Sequence, residues 1–246
     1  MFIEIYKYQP IREYFWKNLI NDELWFNNPR NFNDWYDSKL PLNIDYTRTE
    51  IEEFIKHSYY NNFGNLERFE EMFSKDIDRL SSNKLEREKC FKDITEHYIN
   101  NYIGITCFSK EGINTGLWGH YGDDNKGVCL VFDSEKDKEY FKNLYNVTYV
   151  EILPSIKLRL KFLPDDLRAY LTIKTTKWKY EDEIRLFRHK SGRYKYIPNS
   201  LTKVIFGMKT DTKDINKIKS ICLLKNKDIK FYKTEDGGGN FVLKEF

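Results

Sequence analysis

Hydrophobic and polar positions in this chain follow two different periods, and the switch between them outlines the fold. Phe2 to Tyr8 alternates and is rich in β-formers, which predicts a strand that Pro10 ends. Ile11 to Asn21 carries Tyr14, Phe15, Leu19 and Ile20 at helical spacing. Leu24-Trp25-Phe26 predicts a second short strand, and the Asn-, Asp- and Pro-rich stretch Asn27 to Asp37 predicts a loop. Three amphipathic stripes follow over Thr49 to Asn100. They are Ile51, Phe54, Ile55, Tyr59; then Leu66, Phe69, Phe73, Ile77, Leu80; then Leu85, Phe91, Ile94, Tyr98. Each repeats near 3.6 residues, so each helix turns one face to a core and leaves its Glu and Lys in water.

The second half returns to strands. Tyr102 to Phe108 and Val128 to Phe132 are apolar runs of strand length, separated by a turn at Asp123-Asp124-Asn125 and Gly127. Ser134 to Leu144 predicts a helix with Ser134 as N-cap. Val147 to Ile152 alternates as a strand, and Ser155 to Thr172 predicts helix that Pro164 breaks or restarts. Glu183 to Phe187, Lys203 to Phe206, Ile229 to Tyr232 and Phe241 to Leu243 complete the strands, with a helix over Asp211 to Leu223. Gly237-Gly238-Gly239 stands between two strands, so it predicts a hairpin loop and not a phosphate loop opening a helix. The expected fold is α+β: one domain over residues 1–246, built on a central, mostly antiparallel, twisted sheet, with a helical subdomain or lid over about 49–101.

Composition narrows the function classes. Hydrophobic residues make up 40% and aromatics 17%, enough for a substantial core. The 41 basic and 38 acidic residues nearly balance, which does not suit a strongly electrostatic DNA binder. Cys90, Cys107, Cys129 and Cys222 form no CxxC pair, so no zinc motif is present and reduced thiols fit a cytoplasmic setting. The start of the chain does not read as a signal peptide, and no apolar run is long enough for a membrane span.

The main candidate for chemistry is Trp178-Lys179-Tyr180-Glu181-Asp182-Glu183-Ile184-Arg185-Leu186-Phe187. In a strand, alternate side chains share a face. Glu181, Glu183 and Arg185 then point one way, and Ile184 and Leu186 point to the core. Two carboxylates so close repel, so one pKa rises while Arg185 compensates. The plain alternative is a solvated face with a surface ion pair. The second candidate is Ser109 after Cys107-Phe108, with the cluster Leu117-Trp118-Gly119-His120-Tyr121. His120 offers acid/base chemistry and Trp118 and Tyr121 offer rings for stacking; the alternative is that they plug the core. His57, His97 and His189 read as surface histidines. The third is Asn31-Phe32-Asn33-Asp34, a tight turn that also keeps Asp34 as a candidate. A metal nuclease would need Asp34, Asp37, Glu181 and Glu183 to converge. No G-x-S-x-G elbow is present.

Four segments, in order, resemble the bacterial family called domain of unknown function 2971. They are Tyr6-Lys7-Tyr8 with Leu24 to Pro29 and Phe32-Asn33-Asp34; Cys107-Phe108-Ser109; Trp118-Gly119-His120-Tyr121 with Lys126-Gly127-Val128; and Lys177 to Arg185. The resemblance runs from about Tyr6 to Gly207 and departs at Trp35, where the family commonly has proline. The layout also resembles the ADP-ribosyltransferase superfamily. Lys7 stands on the first strand, Ser109 on a middle strand and Glu181/Glu183 on a late one. That resemblance implies a split sheet, NAD as substrate, and Glu183 stabilising the oxocarbenium-like state, with Tyr121 or Trp118 stacked on nicotinamide. It also implies a toxin or phage-defence effector. Lys7 replaces the usual Arg or His, and Ser109 lacks the full Ser-Thr-Ser pattern. Two other readings stay open: a nucleic-acid-binding protein or nuclease using Lys157-Leu158-Arg159 and Arg188 to Tyr196, and a non-catalytic module docking a protein through its helices.

Overall fold

The computed structural model describes residues 4–63, 69–158 and 163–245. Phe2, Leu66, Arg159 and the side chains of Tyr59 and Pro164 lie outside what is described. The chain opens with strand β1 (Glu4–Gln9), helix α1 (Glu13–Asn21) and strand β2 (Glu23–Phe26). Asp22 ends α1 in the left-handed region, with φ 58°, and its N–H caps the Asn18 carbonyl. Helices α2 (Arg48–Phe63), α3 (Phe69–Ser82) and α4 (Lys84–Tyr102) follow. Ile51, Leu80 and Phe91 from the three helices share one buried cluster. Asn83 caps α4 by accepting from the Leu85 and Glu86 N–H groups.

Strand β3 (Gly104–Ser109), helix α5 (Thr115–His120) and strand β4 (Val128–Asp133) come next, then short strands β5 (Leu144–Asn146) and β6 (Thr148–Val150). After them come α6 (Leu163–Tyr170), β7 (Ile173–Thr175), β8 (Glu183–Arg188), β9 (Gly192–Lys195), β10 (Leu201–Phe206), α7 (Thr212–Lys225), β11 (Lys230–Asp236) and β12 (Phe241–Glu245). Eight strands form one sheet in the order β12-β11-β10-β4-β1-β3-β8-β5. All its pairings are antiparallel except β10 with β11, so the fold is α+β on a mostly antiparallel sheet. Two-stranded pairs β2-β9 and β6-β7 stand beside it.

Strand β4 lies mid-sheet, and its run Val128 to Phe132 is buried on both faces. Val128, Leu130 and Phe132 join α1 and α7 residues such as Phe15, Leu19, Ile215 and Ile218 in one cluster. Cys129 and Val131 join Leu117 and Trp118 of α5 in another. On the β3-β8 half, Ile105 and Phe187 pack with Ile99, Leu167 and Leu171.

Several expected elements differ. Ser134 to Leu144 is not a continuous helix. A 3-10 turn spans Ser134–Asp137, capped by the Asp133 carboxylate rather than by Ser134, and the chain then turns to bury Tyr140 and Phe141. Two large aromatic anchors in adjacent positions win over helix continuation. Ser155 to Leu158 is not helical, and Ile156 bridges to Leu42 instead; the described part of α6 runs over Leu163–Tyr170. Between β3 and β4 the pattern predicts no helix, yet Asn114 caps the short helix α5 by accepting from the Leu117 N–H.

The feature that positions the site is the junction of β1 with β3. These neighbours share a single residue pair, Tyr6 with Ser109. Toward the other end of β3, Ile105 instead exchanges backbone hydrogen bonds with Asn27, each 2.8 Å. The two halves of the sheet thus separate, and Lys7 spans the opening by donating its Nζ to the Cys107 carbonyl at 2.8 Å.

Candidate functional site

A cleft of about 500 Å³ opens where β1 and β3 part. Tyr14, Trp25 and Phe32 supply flat walls, and Asn27, Asn31 and Asn33 supply amides. Its floor is charged and deeply buried.

Glu183 begins β8, and alternation places Arg185 beside it while Ile184 and Leu186 enter the main core. Arg185 is fully buried and donates Nε to Glu183 at 2.8 Å. Its two Nη atoms reach Asp37 at 2.9 and 2.6 Å, a two-pronged pairing that suits a guanidinium. Lys174 of β7 donates to Glu181 at 2.6 Å and to Glu183 at 3.2 Å. The Glu183 N–H donates to the Tyr149 hydroxyl at 2.8 Å, which fixes the start of the strand.

Glu181 is not on the strand. It ends a 3-10 turn over Thr176–Glu181, and Asp182 reverses the chain with φ 39°. The expected alternating face therefore holds for Glu183 and Arg185 but not for Glu181. Lys174 restores the convergence from outside, and Tyr121 completes it by donating its hydroxyl to Glu181 at 2.7 Å. Asn33 in turn donates to the Tyr121 hydroxyl at 3.4 Å.

The two neighbouring glutamates titrate apart. Burial alone would raise Glu183, but Arg185 and Lys174 outweigh it and hold the carboxyl down at about 2. Burial raises Glu181 above its ordinary value of 4.5, the Glu183 charge adds to that, and Lys174 and Tyr121 only partly oppose it. Burial works against the Lys174 charge, yet the surrounding carboxylates raise its pKa. Burial lowers Lys7, with Cys107 and Glu183 pulling the other way. Burial lifts the Cys107 thiol well above its ordinary range.

Of the candidates named from sequence, Lys7, Ser109, His120, Tyr121, Glu181 and Glu183 all line the cleft. Ser109 is buried, and its Oγ accepts from the Glu111 N–H. His120 is exposed at the mouth, its ring 6.2 Å from that of Tyr180. Arg185 lies beneath the floor and holds Glu183 and Asp37 rather than facing the space. Trp118 corrects an expectation: it is fully buried under α5 and donates its indole N–H to the Gly112 carbonyl. It is a core plug with no face left to stack on a ligand. Asp34 also stays outside the cleft; its carboxylate accepts from the Tyr36 N–H and shapes a turn. Asp37, Glu181 and Glu183 do converge, but on two cations. Among the described residues no cluster of His, Cys, Asp or Glu is arranged to hold a metal ion.

Sequence reasoning passed over Lys174, Tyr149 and Thr106. Lys174 sits in a lysine-rich run with nothing to mark it from its neighbours. Thr106 lines the cleft, and its buried Oγ1 has no hydrogen-bond partner among the described residues. A second, larger cavity of about 970 Å³ lies elsewhere, around the far end of β8, away from these charges.

Residues 117–186 match the family model described as protein of unknown function (DUF2971). The match takes in the Trp118-Gly119-His120-Tyr121 motif and the Glu181/Glu183 segment, and is narrower than the Tyr6 to Gly207 span of the motifs. No curated protein and no solved structure matches the chain. Among the described residues, no helix is long and apolar enough to cross a membrane.

Proposed function

We propose that the cleft takes NAD and that the chain transfers its ADP-ribose group to an acceptor. The observation that carries this is the meeting of Glu181 and Glu183 at the floor of the cleft, Glu183 held by Arg185 at 2.8 Å and Glu181 by Tyr121 at 2.7 Å, with the pKa of Glu183 lowered and that of Glu181 raised. Neighbouring titratable groups with pKa values pushed apart mark an assignment of roles. Glycosyl transfer through a cationic sugar uses such a pair, one carboxylate always ionised and one that exchanges a proton.

In this reading the bond between the ribose C1′ and the nicotinamide nitrogen breaks, and nicotinamide leaves neutral with the electron pair. The Glu183 carboxylate offsets the positive charge that develops on the sugar. The acceptor's nucleophile bonds to C1′, and its proton passes to Glu181. Tyr121 orients Glu181 through their hydrogen bond. The cleft's volume of about 500 Å³ suits a small-molecule site. The unpartnered Thr106 hydroxyl offers a polar contact, since buried hydroxyls are normally bonded. Lys7, Ser109 and His120 supply further polar groups along its length. The parting of β1 from β3, joined by one residue pair, supports the split sheet that this reading expects. A bacterial defence or toxin role would follow from that chemistry.

The test is NAD turnover, followed as released nicotinamide, with thermal melting as the binding readout. Ligand that binds only the native state raises the melting temperature. We expect NAD to raise it and Glu183→Gln to abolish turnover while the variant still melts cooperatively. A folded Glu183→Gln protein with undiminished turnover would overturn the reading. Binding without turnover would leave a non-catalytic NAD-binding module.

A further inference from the structure

We infer that the larger cavity is a second ligand site, and that its ligand joins a nucleobase to a phosphate. This inference does not depend on the chemistry of the β1–β3 cleft. The cavity, of about 970 Å³, lies between the end of α4, the end of β8 and the segment after the Ser134–Asp137 turn.

One wall is a row of rings. Tyr102 stands 5.4 Å from Tyr98, 5.8 Å from His97 and 5.5 Å from His189, centroid to centroid. Tyr102 is 44% exposed, so a large flat surface faces solvent at the cavity although its neighbours hold it in place. The opposite wall is a cation held among rings. The Arg188 guanidinium lies over Tyr140 at 4.6 Å and Tyr194 at 5.5 Å, and donates to the Phe187 and Tyr140 carbonyls.

The charge of the lining favours an anion. Lys142, Arg168, Arg188 and Lys195 line the cavity against Asp137 and Glu139. Asp137 accepts from the Tyr140 and Ile197 N–H groups at 3.2 and 2.8 Å, and Glu139 pairs with Lys142. The four basic side chains outnumber the two carboxylates, so the lining carries a net positive charge. Aromatic faces interleaved with such cations bind bases by stacking and phosphates by charge. The source of that chemistry is either a free nucleotide or a unit of a single strand.

The test is calorimetric titration with AMP, adenosine, pyrophosphate and a short oligothymidylate on the full chain. AMP or the oligonucleotide is expected to bind saturably, and adenosine and pyrophosphate each more weakly than AMP. Tyr102→Ala is expected to weaken binding about tenfold, the scale of one lost base stack. Lys195→Glu is expected to weaken it and to flatten its salt dependence. Trp25→Ala, in the wall of the other cleft, is expected to leave it unchanged. Both cavity residues are exposed, so neither variant endangers the fold. Tighter binding of the oligonucleotide than of AMP identifies a strand as the source, and the reverse identifies a free nucleotide. No saturable binding of either, or binding that Trp25→Ala removes and Tyr102→Ala does not, would overturn the inference.

Discussion

Arg185 and Asp37 meet in a two-pronged buried ion pair, with Nη1 2.9 Å from Oδ1 and Nη2 2.6 Å from Oδ2. Neither side chain is more than 3% exposed. The pair ties the loop after β2 to strand β8, and so fixes one lip of the cleft to its floor. Removing one partner of such a pair leaves an uncompensated buried charge, which costs about 3–5 kcal/mol. Asp37→Asn is therefore expected to lower unfolding stability by about that much, measured by urea titration. A loss under about 1 kcal/mol would mean that Glu183 alone satisfies Arg185.

Acid sensitivity follows from the same network. The Glu183 carboxyl titrates at about 2 when folded, below its ordinary 4.5. A depressed carboxyl contributes stability that is fully present above the unfolded value and is lost as pH falls through the folded one. The window runs from about 4.5 down to about 2, and the contribution is on the order of 3 kcal/mol. Glu181, raised by burial, has the opposite sign: its contribution is full below the unfolded value and is lost as pH rises through its folded one. Melting temperatures from pH 5 to 2 are expected to fall more steeply for the wild type than for Glu183→Gln. Parallel profiles would show that Glu183 is not the group being protonated.

Two tryptophans, each preceded by a leucine, should behave oppositely. Trp118 is fully buried, and Trp25 is 43% exposed on the cleft wall. Truncating a buried large aromatic costs about 3–5 kcal/mol through lost contacts and the cavity left behind. Trp118→Ala is expected to lose stability on that scale. Trp25→Ala is expected to stay within about 0.5 kcal/mol of wild type while weakening NAD binding in the melting assay. Equal destabilisation by both would contradict the burial difference.

The pattern of residues reveals the sheet far better than the site. Val128 to Phe132 and Glu183 to Phe187 are legible as strands because continuous burial and period-two alternation are local properties of the chain. The unequal environments of Glu181 and Glu183 are half legible. Their proximity predicts that one pKa rises, but which one depends on Lys174 and Arg185, and Lys174 arrives from another strand. Asp34 and Asp37 look equivalent in sequence. Backbone geometry sends one to a turn and the other to Arg185. Helix α5, with two glycines in six residues, is too short to show a period. β7 and β9 are three and four residues long and carry no alternation that separates them from loop.

Lys174 is where stability and the proposed chemistry can be separated. Its Nζ lies 2.6 Å from Glu181, 3.2 Å from Glu183 and 3.7 Å from Asp37. Its charge is one of the influences that lower the Glu181 pKa against burial. Lys174→Met keeps the length of the side chain and removes the charge. With that cation gone, Glu181 is expected to titrate at higher pH, so the alkaline-rising limb of NAD turnover should move toward higher pH. A base must lose its proton before it can receive one from the acceptor. The variant is also expected to lose about 3–5 kcal/mol of stability, because three carboxylates share the missing cation. Stability loss alone would scale the rate at every pH without moving the profile. The pH dependence, measured only where the variant remains folded by circular dichroism, therefore decides whether Lys174 tunes Glu181 or merely holds the floor of the cleft together.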